Sequence, residues 1–340
     1  MTKKQKAYAR AGVNVDLGNR LKRRIQSFVR QTHSPQVLGK IGGFGGLFQA
    51  TFPGMREPVL VASIDSVGTK LKIAFAMNRH NTVGADLVNH CVNDIAVLGA
   101  RPLFFLDYIG CEKLEPRVFQ QLLLGFSRAC RSTGCALLGG ETAQMPGIYH
   151  KDEYDLAGCI IGLVERRGII DGSKIRPGDV ILGLESNGLH TNGYSLAREV
   201  LFGKMRLKVS SRLKGSTITV GEELLRVHKN YQPLLAKIPS GMIKGLAHIT
   251  GGGLIDNLPR ILPASCDAVI ETKSWRVPRI FRILQQEGNI ESHEMYQVFN
   301  MGIGMVAIVA EGDANRAISL LRAKRIGRIH RGAGKTLLMF

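Results

Sequence analysis

The sequence predicts an α/β protein of the α+β type that is built from two domains. Its 340 residues exceed what one ordinary hydrophobic core holds. In both halves, apolar runs of strand length alternate with segments of helical periodicity. Turn-forming clusters at residues 171–172 and 176–179 interrupt this alternation. We therefore expect an N-terminal domain of residues 1–170 and a C-terminal domain of residues 171–340, the second with a mixed sheet and helices.

The elements of the first domain follow from the spacing of apolar residues. Runs such as PVLVASI suit a buried strand, whereas residues 86–98 place their apolar side chains along one side of a helix. Adjacent glycines at 139 and 140 favour a turn. We predict helices at 16–29, 86–98 and 116–132, strands at 58–64, 101–109, 154–164 and 180–184, and a turn at 139–140.

Composition and charge restrict the class of protein. Hydrophobic residues form 44% and charged residues 21% of the chain, which is typical of a globular protein. The net charge of +19 favours anionic ligands, but the basic residues are spread out. Aromatic residues, at 6%, are too few for platforms that stack single-stranded bases. We therefore expect phosphorylated small molecules as partners rather than nucleic acid.

Targeting and redox signals point to the cytoplasm. The six cysteines form no CxxC pair, which argues against a zinc ribbon or a redox motif. Residues 1–10 are polar and lack the apolar core of a signal peptide. The longest apolar run, residues 301–310, is far shorter than a membrane span. We expect a cytoplasmic protein that does not cross a membrane.

The first candidate site is a glycine loop. Four of the five residues 42–46 are glycine, so backbone N–H groups can converge on an anion without obstruction by Cβ atoms. Gly42, Gly43 and Gly45 are therefore candidates for nucleotide binding. A loop that binds no ligand explains the same pattern equally well.

A second candidate is the segment DSVGTK, which follows the predicted strand at 58–64. Asp65 at a strand end is well placed to hold a metal ion, because loops at such ends converge on ligands. Thr69 adds a hydroxyl group and Lys70 a positive charge for phosphate. The alternative is an ordinary turn in which Asp65 forms a salt bridge.

The helix at 86–98 carries polar side chains at a helical spacing. Asp86, His90 and Asp94 lie four residues apart and share one face, with Asn93 beside them. Carboxylate and amide oxygens suit Mg²⁺. A solvated helix face remains an equal alternative for Asp86 and His90. Asp94 is the stronger candidate because Asn93 and Asp94 interrupt an apolar segment.

Two further acidic positions extend the predicted site. Asp107 interrupts the apolar strand LFFLDYI and needs a partner or a metal ion there. The segment GGETAQMPG presents Gly140, Glu141 and Thr142 after another strand, and Pro146 with Gly147 favours a turn. Together with the segments at 65–70 and 86–98, these residues predict one magnesium–nucleotide site in the first domain.

The second domain offers a histidine and another glycine loop. The segment SNGLHTNGYS follows a strand and is expected to enter a helix N-terminus, where anions bind readily. His190 in this segment is a candidate general acid or base, although a turn with a loop histidine also fits. Gly251 and Gly252 lie in HITGGGL, a second loop that can hold a phosphate group through its backbone.

Six segments, in order, resemble the phosphoribosylformylglycinamidine cyclo-ligase family, also called aminoimidazole ribonucleotide synthetases. They are DSVGTKL, VNDIAVLGARPLFFLDY, GGETAQMPGIY, SNGLHTNGYSL, HITGGGLIDNLPRILP and FNMGIGM. The resemblance runs from about residue 8 to residue 305 and is poorest in the basic tail from residue 322. The family pattern favours Gly at position 66 and Glu at 144, where this chain has Ser66 and Gln144.

The resemblance implies an activity and an assembly. ATP would phosphorylate the formyl amide oxygen of formylglycinamidine ribonucleotide, and the resulting iminophosphate would close to aminoimidazole ribonucleotide. Mg²⁺ is required, and K⁺ assists many members. The family is a homodimer in which the first-domain sheets form a joint barrel, with ATP at its edges. Related enzymes are alternatives: thiamine-monophosphate kinase, selenophosphate synthetase and formylglycinamidine ribonucleotide synthetase. A basic RNA-binding module without catalysis is the alternative outside this class.

The resemblance also assigns roles to residues. Asp65, Asp94 and Glu141 resemble the carboxylates that hold the nucleotide-bound metal. Lys70 resembles a phosphate contact, and residues 42–46 resemble a mobile loop that covers the nucleotide. His190 and Asn192 would face the reacting amide or the substrate phosphate. We expect Asp94, His190 and Lys70 to be catalytic. The nucleotide-binding residues would be Gly42, Gly43, Gly45, Asp65, Thr69, Lys70, Asn93, Asp94, Asp107, Gly140, Glu141 and Thr142.

Overall fold

The computed structural model describes residues 17, 20, 26–38, 41, 45–213 and 215–340. It shows a mixed α/β protein with two sheets that follow one another along the chain. The first-half elements are β1 (Pro58–Ser66), α1 (Leu71–Met77), α2 (Val83–Ala96), β2 (Arg101–Cys111), α3 (Pro116–Thr133), β3 (Ala136–Gln144) and β4 (Tyr154–Glu165).

The second half begins after a break between Glu165 and Val180. It contains helical elements of four to ten residues around six strands. Its elements are β5 (Val180–Glu185), α4 (Tyr194–Arg198), a π-helical turn (Glu199–Lys204), α5 (Val220–Leu224), α6 (Gln232–Leu235), β6 (Ile243–His248), α7 (Gly253–Asn257), β7 (Cys266–Glu271), α8 (Arg279–Gly288), α9 (Ser292–Val298), β8 (Ile303–Val309), α10 (Ala314–Leu321), β9 (Lys324–Arg331) and β10 (Thr336–Met339).

Both sheets are mixed. The first has the order β1-β4-β2-β3, in which only β2 and β3 are parallel. The second has the order β10-β7-β9-β5-β8-β6, in which only β10 and β7 are parallel. Strand β8 is buried along its whole length. Helix α10 packs on the same sheet through Ala314, Ala317 and Leu321, mainly against β5. The mixed sheets and the α/β architecture agree with the sequence prediction.

Local sequence signals set several element boundaries. Helix α3 begins where the Glu115 carboxylate accepts the Val118 N–H at 2.8 Å and Pro116 occupies the first turn. It ends at Gly134, whose φ of 66° is the left-handed conformation common after helices. The predicted strands and helices of residues 58–185 are all present. Of the helix predicted at 16–29, the described residues 17, 20 and 26–30 are helical.

The predicted turn at residues 139–140 is wrong, because β3 continues through both glycines. Gly140 lies opposite Asp107 of β2, and a Cβ atom at this position would overlap the Asp107 backbone carbonyl. The close approach of the two strands therefore requires glycine here. As a result Glu141 and Thr142 belong to a strand rather than to a loop, and Asp107 lies in the middle of β2.

Helix α2 is the central element of the first domain. All of its residues except Asp94 are buried, because the helix is covered by the first sheet, by α3 and by the second domain. The solvated-face alternative for Asp86 and His90 is thereby excluded, since both lie in a packed interface. The opposite face of the sheet is different: there Leu60 and Ile64 of β1 remain 63% and 72% exposed.

Candidate active site at the domain interface

The polar face of α2 meets three segments of the second domain. These are the loop between β5 and α4, residues 226–231, and the end of β6, which bring His190, His228 and His248 against the helix. Asp65 at the end of β1 reaches the same place. The four histidines and two carboxylates meet although they come from distant parts of the sequence, because the two domains pack across α2.

One end of the cluster is organised by His90. Its Nε2 lies 2.8 Å from Asp65 Oδ2, and its Nδ1 lies 2.9 Å from Thr191 Oγ1. Burial is the largest single influence and disfavours the imidazolium form. The hydrogen bond to Asp65, together with the charges of Asp94, Asp65 and Asp86, outweighs it and raises the pKa of His90. Burial likewise opposes ionisation of Asp65, yet His90 keeps the pKa of that carboxyl below its usual value. Asp65 is therefore a carboxylate.

The other end is organised by Asp94. Its Oδ1 lies 2.8 Å from His248 Nδ1, and its Oδ2 accepts a hydrogen bond from Ser63 at 3.2 Å. His248 Nε2 lies 3.0 Å from His228 Nε2. The chain of contacts closes where His228 Nδ1 lies 3.3 Å from Thr191 Oγ1. We call this series the histidine chain; it comprises Asp65, His90, Thr191, His228, His248 and Asp94.

His190 stands beside the histidine chain without joining it. Its ring stacks on that of His228, with centroids 4.1 Å apart and planes inclined by 22°. Neither ring nitrogen has a hydrogen-bond partner among the described residues, although the side chain is buried. Burial, reinforced by repulsion from His248, lowers the pKa of His190 well below its usual value. His190 is therefore a neutral imidazole with a free lone pair.

The backbone holds His190 in this position. Its φ of 62° lies in the left-handed region, which a residue other than glycine adopts only when its surroundings enforce it. Gly304 of β8 makes room for the ring, since a Cβ there would lie 2.4 Å from His190 Cε1. The Tyr194 hydroxyl donates a hydrogen bond to the His190 carbonyl at 3.1 Å.

The role predicted for Lys70 as a phosphate contact is corrected by its environment. Lys70 is fully buried, and its Nζ donates to Asp86 Oδ1 at 2.9 Å and to the carbonyls of His190 and Arg226 at 3.0 and 2.6 Å. These three bonds use all the protons of the ammonium group. Lys70 therefore has no donor left for a phosphate group and instead joins the two domains.

Burial acts on both members of this pair. It lowers the pKa of Lys70 against the attraction of Asp86, and it raises the pKa of Asp86 against the attraction of Lys70. Asp86 also accepts the backbone N–H of His228 at 2.6 Å.

Asn93 is engaged in the same way and is not free for a nucleotide. Its amide donates to the Lys229 carbonyl at 2.9 Å, and its Oδ1 accepts the Tyr231 N–H at 2.9 Å. Asn89, one turn earlier, donates to the His228 carbonyl at 2.7 Å. The amide side chains of α2 thus bind the backbone of residues 228–231, which corrects the predicted nucleotide contact of Asn93.

The predicted substrate-binding residues lie close together at the edge of this site. Asn192 Oδ1 would lie 3.4 Å from a Cβ atom on Gly251. Asn257 fixes the loop of residues 251–253, because its amide donates to the carbonyls of Gly251 and Gly253 at 3.1 and 2.8 Å. Gly252, with φ of 93°, is in a conformation that favours glycine. The exposed Thr69 hydroxyl lies 3.2 Å from Ser195 Oγ.

Glu141, the acidic residue of β3, lies away from the histidine chain. Asp65 is on β1 and Glu141 on β3, at the two edges of the first sheet, so about three interstrand spacings, roughly 14 Å, separate their strands. Glu141 is exposed and accepts the N–H of Thr142 at 2.7 Å. Within one subunit a single metal ion cannot bind Asp65, Asp94 and Glu141 together, which corrects the predicted set of three.

Asp107 lies between these edges, opposite Gly140 of β3 and Gly158 of β4. Burial raises its pKa to about 7, and the nearby Glu141 adds to the shift.

The N-terminal glycine loop, residues 42–46, lies at the border of the described residues. Gly42 and Gly43 fall outside them, and Gly45 is exposed, with space for a Cβ atom as far as the described residues show.

The sequence prediction missed His228 and did not single out His248 or Thr191. Thr191 adjoins the predicted His190, and His248 opens the segment HITGGGL, so both positions lay inside motifs already noted. His228 stands in the segment RVHKNY, which carries no signal of its own. Only its packing against α2 identifies it.

Two family models match the chain. The model described as the N-terminal domain of AIR synthase related proteins matches residues 53–164, and the model of the C-terminal domain matches residues 176–339.

Curated relatives named phosphoribosylformylglycinamidine cyclo-ligase match nearly the whole chain. The relative from Trichlorobacter lovleyi is 50% identical over 322 residues, which cover 94% of this chain and 92% of the relative. The relative from Syntrophus aciditrophicus is 48% identical over 339 residues, 98% of each chain. The relative from Bacillus cereus is 48% identical over 336 residues, 97% of each.

Solved structures with the same fold are more distant in sequence. Thiamine-monophosphate kinase from Stenotrophomonas maltophilia gives a TM-score of 0.67 at 17% identity, covering 92% of this chain and 95% of that chain. The hydrogenase maturation protein HypE in complex with ATP gives 0.65 at 20% identity, covering 93% and 90%. At these identities the likeness concerns the fold alone.

Proposed function

Because the chain belongs to the phosphoribosylformylglycinamidine cyclo-ligase family, we propose that it closes the imidazole ring of aminoimidazole ribonucleotide in purine biosynthesis, using ATP. The match at about half identity over almost the full length carries this conclusion. It also favours a ligase over the kinases and the RNA-binding module that the sequence left as alternatives.

The chemistry we propose proceeds through a phosphorylated amide. ATP transfers its terminal phosphoryl group to the formyl amide oxygen of formylglycinamidine ribonucleotide, which turns a poor leaving group into a good one. The amidine nitrogen then attacks the same carbon, phosphate leaves and the ring closes with loss of a proton. The protein must hold two anionic ligands in line and accept that proton.

His190 is our candidate for the proton transfer. It is a neutral imidazole whose ring nitrogens have no hydrogen-bond partner among the described residues. A general base needs this form. Asn192, Gly251 and Gly252 at the edge of the site would orient the substrate and its phosphate. Lys70 and Asp86 act as positioning residues, because their contacts hold the backbone of His190 and of residue 228 against α2.

Asp65 and Asp94 fit a magnesium ion of the nucleotide. Both are carboxylates that face His90, at 2.8 and 3.8 Å, and their side chains are 36% and 24% exposed, so that an incoming ligand can reach them. Oxygen donors of this kind suit Mg²⁺. When bound, the ion would neutralise charge on the phosphoryl group in transfer. We also propose K⁺ as an activator of this reaction.

We further propose a cytoplasmic homodimer whose first-domain sheets form a joint barrel. Leu60 and Ile64 support this, since their apolar side chains are exposed on the outer sheet face and need a cover. ATP at the barrel edge would be contacted by Gly140, Glu141, Thr142 and Asp107, together with Gly42, Gly43 and Gly45.

We place the domain boundary at 170/171, within the break between the two sheets. Within the described residues, no helix combines the length and the apolar character of a membrane crossing.

The test is a direct turnover measurement. Purified protein is incubated with formylglycinamidine ribonucleotide, ATP, Mg²⁺ and K⁺, and both ADP and aminoimidazole ribonucleotide are quantified. We expect ADP release that depends on the substrate and equals ring formation. Folded protein that releases no ADP in response to substrate would exclude the proposed function.

The role of Asp94 is tested by Asp94→Asn, with Glu287→Gln on the exposed side of α8 as the matched control. We expect turnover to fall by at least about 100-fold in Asp94→Asn, the range seen when one electrostatic contact to the transition state is lost. Glu287→Gln should keep normal turnover. Near-normal turnover in Asp94→Asn would remove this residue from the mechanism.

A further inference from the structure

The two domains form a second cleft, outside the histidine chain. One wall is α1 of the first domain, and the other consists of the end of α4, the π-helical turn and residues 207–209. The cleft has a volume of about 390 Å³, and its described lining holds three basic side chains but only one carboxylate. These are Lys72, Arg198, Lys208 and Glu153. We propose that this cleft binds the 5′-phosphate of the ribonucleotide substrate, an inference that rests on the proposed function.

The charges of the cleft leave room for a phosphate group. Lys72 Nζ lies 2.6 and 2.7 Å from the two carboxylate oxygens of Glu153, so these opposite charges balance. Arg198 is half-buried and Lys208 is exposed, and neither side chain has a hydrogen bond or an ion pair among the described residues. Two positive charges therefore remain without a partner. A phosphate monoester carries about 1.5–2 negative charges near neutral pH, which matches them.

The position of the cleft suits the far end of the substrate. Thr69 and Ser195 come from the two domains, and their exposed hydroxyl oxygens lie 3.2 Å apart at the edge of the His190 site. Lys72 and Arg198 follow these residues by three positions each, a spacing that places side chains on the same helix face. The order is thus His190, then the hydroxyl pair, then the cations. The substrate has the same order, with the formyl amide at one end, the ribose in the middle and the phosphate at the other end.

Two other places for the phosphate are less suitable. The loop of residues 251–253 consists of three glycines, so its own residues offer backbone groups but no positive charge. It can orient the substrate, whereas the cleft supplies the charge. The cavity between the end of α1 and the start of α3 is larger, but three carboxylates balance the three basic side chains of its described lining. The cleft is therefore the strongest of the three candidates.

The direct test is calorimetric binding of ribose 5-phosphate, which carries the sugar and the phosphate of the substrate but not its reacting amide. The full-length protein should bind one molecule per chain, and ribose without phosphate should not compete. In Arg198→Gln and in Lys208→Gln the dissociation constant should rise by about 10-fold or more, because each variant loses a charged hydrogen bond. The matched control Arg206→Gln changes an exposed arginine outside the described lining of the cleft and should bind normally.

Three results of the binding measurement would overturn the inference. The first is the absence of saturable binding of ribose 5-phosphate to the unchanged protein. The second is equal binding by the unchanged protein and by both cleft variants. The third is a loss of affinity in Arg206→Gln as large as in the cleft variants, since the effect would then reflect overall charge. Circular dichroism confirms that each variant is folded.

Steady-state kinetics separate this inference from the proposed function. At saturating ATP, both cleft variants should raise the KM for formylglycinamidine ribonucleotide by a similar factor, with a much smaller change in kcat. A rise in the KM for ATP instead would contradict the inference, because the cleft would then hold the nucleotide. If ribose 5-phosphate binds through the cleft but the protein shows no turnover, the ring-closing activity fails while the phosphate site stands.

Discussion

Replacing Lys70 by methionine tests whether the buried ion pair joins the two domains. The substitution keeps the length of the side chain but removes three hydrogen bonds. The buried Asp86 carboxylate then loses its cationic partner and the Arg226 carbonyl loses its donor, while the His190 carbonyl keeps only the Tyr194 hydroxyl. Removing one partner of a buried pair costs about 3–5 kcal/mol of unfolding free energy. For a urea slope of roughly 3 kcal/mol per molar, the midpoint should fall by about 1–1.7 M.

Lys72 is the matched control for this substitution. It lies two residues away and also pairs with a carboxylate, Glu153, at 2.6 Å, but the two side chains are 39% and 27% exposed. An ion pair with this exposure contributes about 0–1 kcal/mol, so Lys72→Met should change the midpoint little. The double variant Lys70→Met/Asp86→Leu should recover part of the loss, because no charge is then left without a partner.

The assay is equilibrium unfolding in urea followed by fluorescence of Trp275, the single tryptophan of the chain. All variants are compared at one protein concentration, since self-association would shift the midpoint. Equal midpoints for Lys70→Met and Lys72→Met would refute the reasoning, because the buried pair would then contribute no more than the exposed one.

Three further predictions rest on single positions. Gly304→Ala places a Cβ 2.2 Å from the Tyr231 hydroxyl and against the ring of His190, so it should lower turnover and reduce the free energy of unfolding by about 1–3 kcal/mol. The control Gly203→Ala has open space around it in the described structure and should change neither. Ile64→Asp should shift the sedimenting species from dimer to monomer, whereas Leu337→Asp in the second domain should not. Asp107 has a folded pKa raised to about 7 from 3.8, so its protonated form stabilises the fold. That stability is complete below about pH 4 and is lost as the pH rises through 7. The thermal unfolding temperature of Asp107→Asn should therefore fall less between pH 5 and pH 8 than that of the unchanged protein. If both proteins show the same pH profile, Asp107 is not the cause of the pH dependence.

The sequence predicted those parts of the site that depend on local periodicity. A spacing of four residues places Asp86, His90 and Asp94 on one helix face whatever surrounds the helix. What that face contacts could not be predicted, because His248 is 154 residues from Asp94. The polar character of the face suits solvent as well as a polar interface, and only the packing of the second domain distinguishes the two.

Glu141 was misplaced for a different physical reason. Paired glycines are typical of turns, but in β3 they permit close contact with β2, so the strand continues. The register between these strands also shifts at Phe105 and Leu106. A shift of one residue reverses the side of the sheet that each side chain faces. No feature of the segment ALLGGETAQ indicates where such a shift occurs.

The contacts of Lys70 and of α2 have a consequence for how this enzyme can vary over evolution. Lys70, Asp86, Asn89 and Asn93 bind main-chain groups of residues 190 and 226–231 rather than their side chains. Backbone groups stay the same when a residue is replaced, so the second domain can exchange side chains such as Lys229 without loss of these bonds. Its partners on the first domain have no such freedom, and a one-residue deletion in 226–231 would disturb more contacts than any single replacement there.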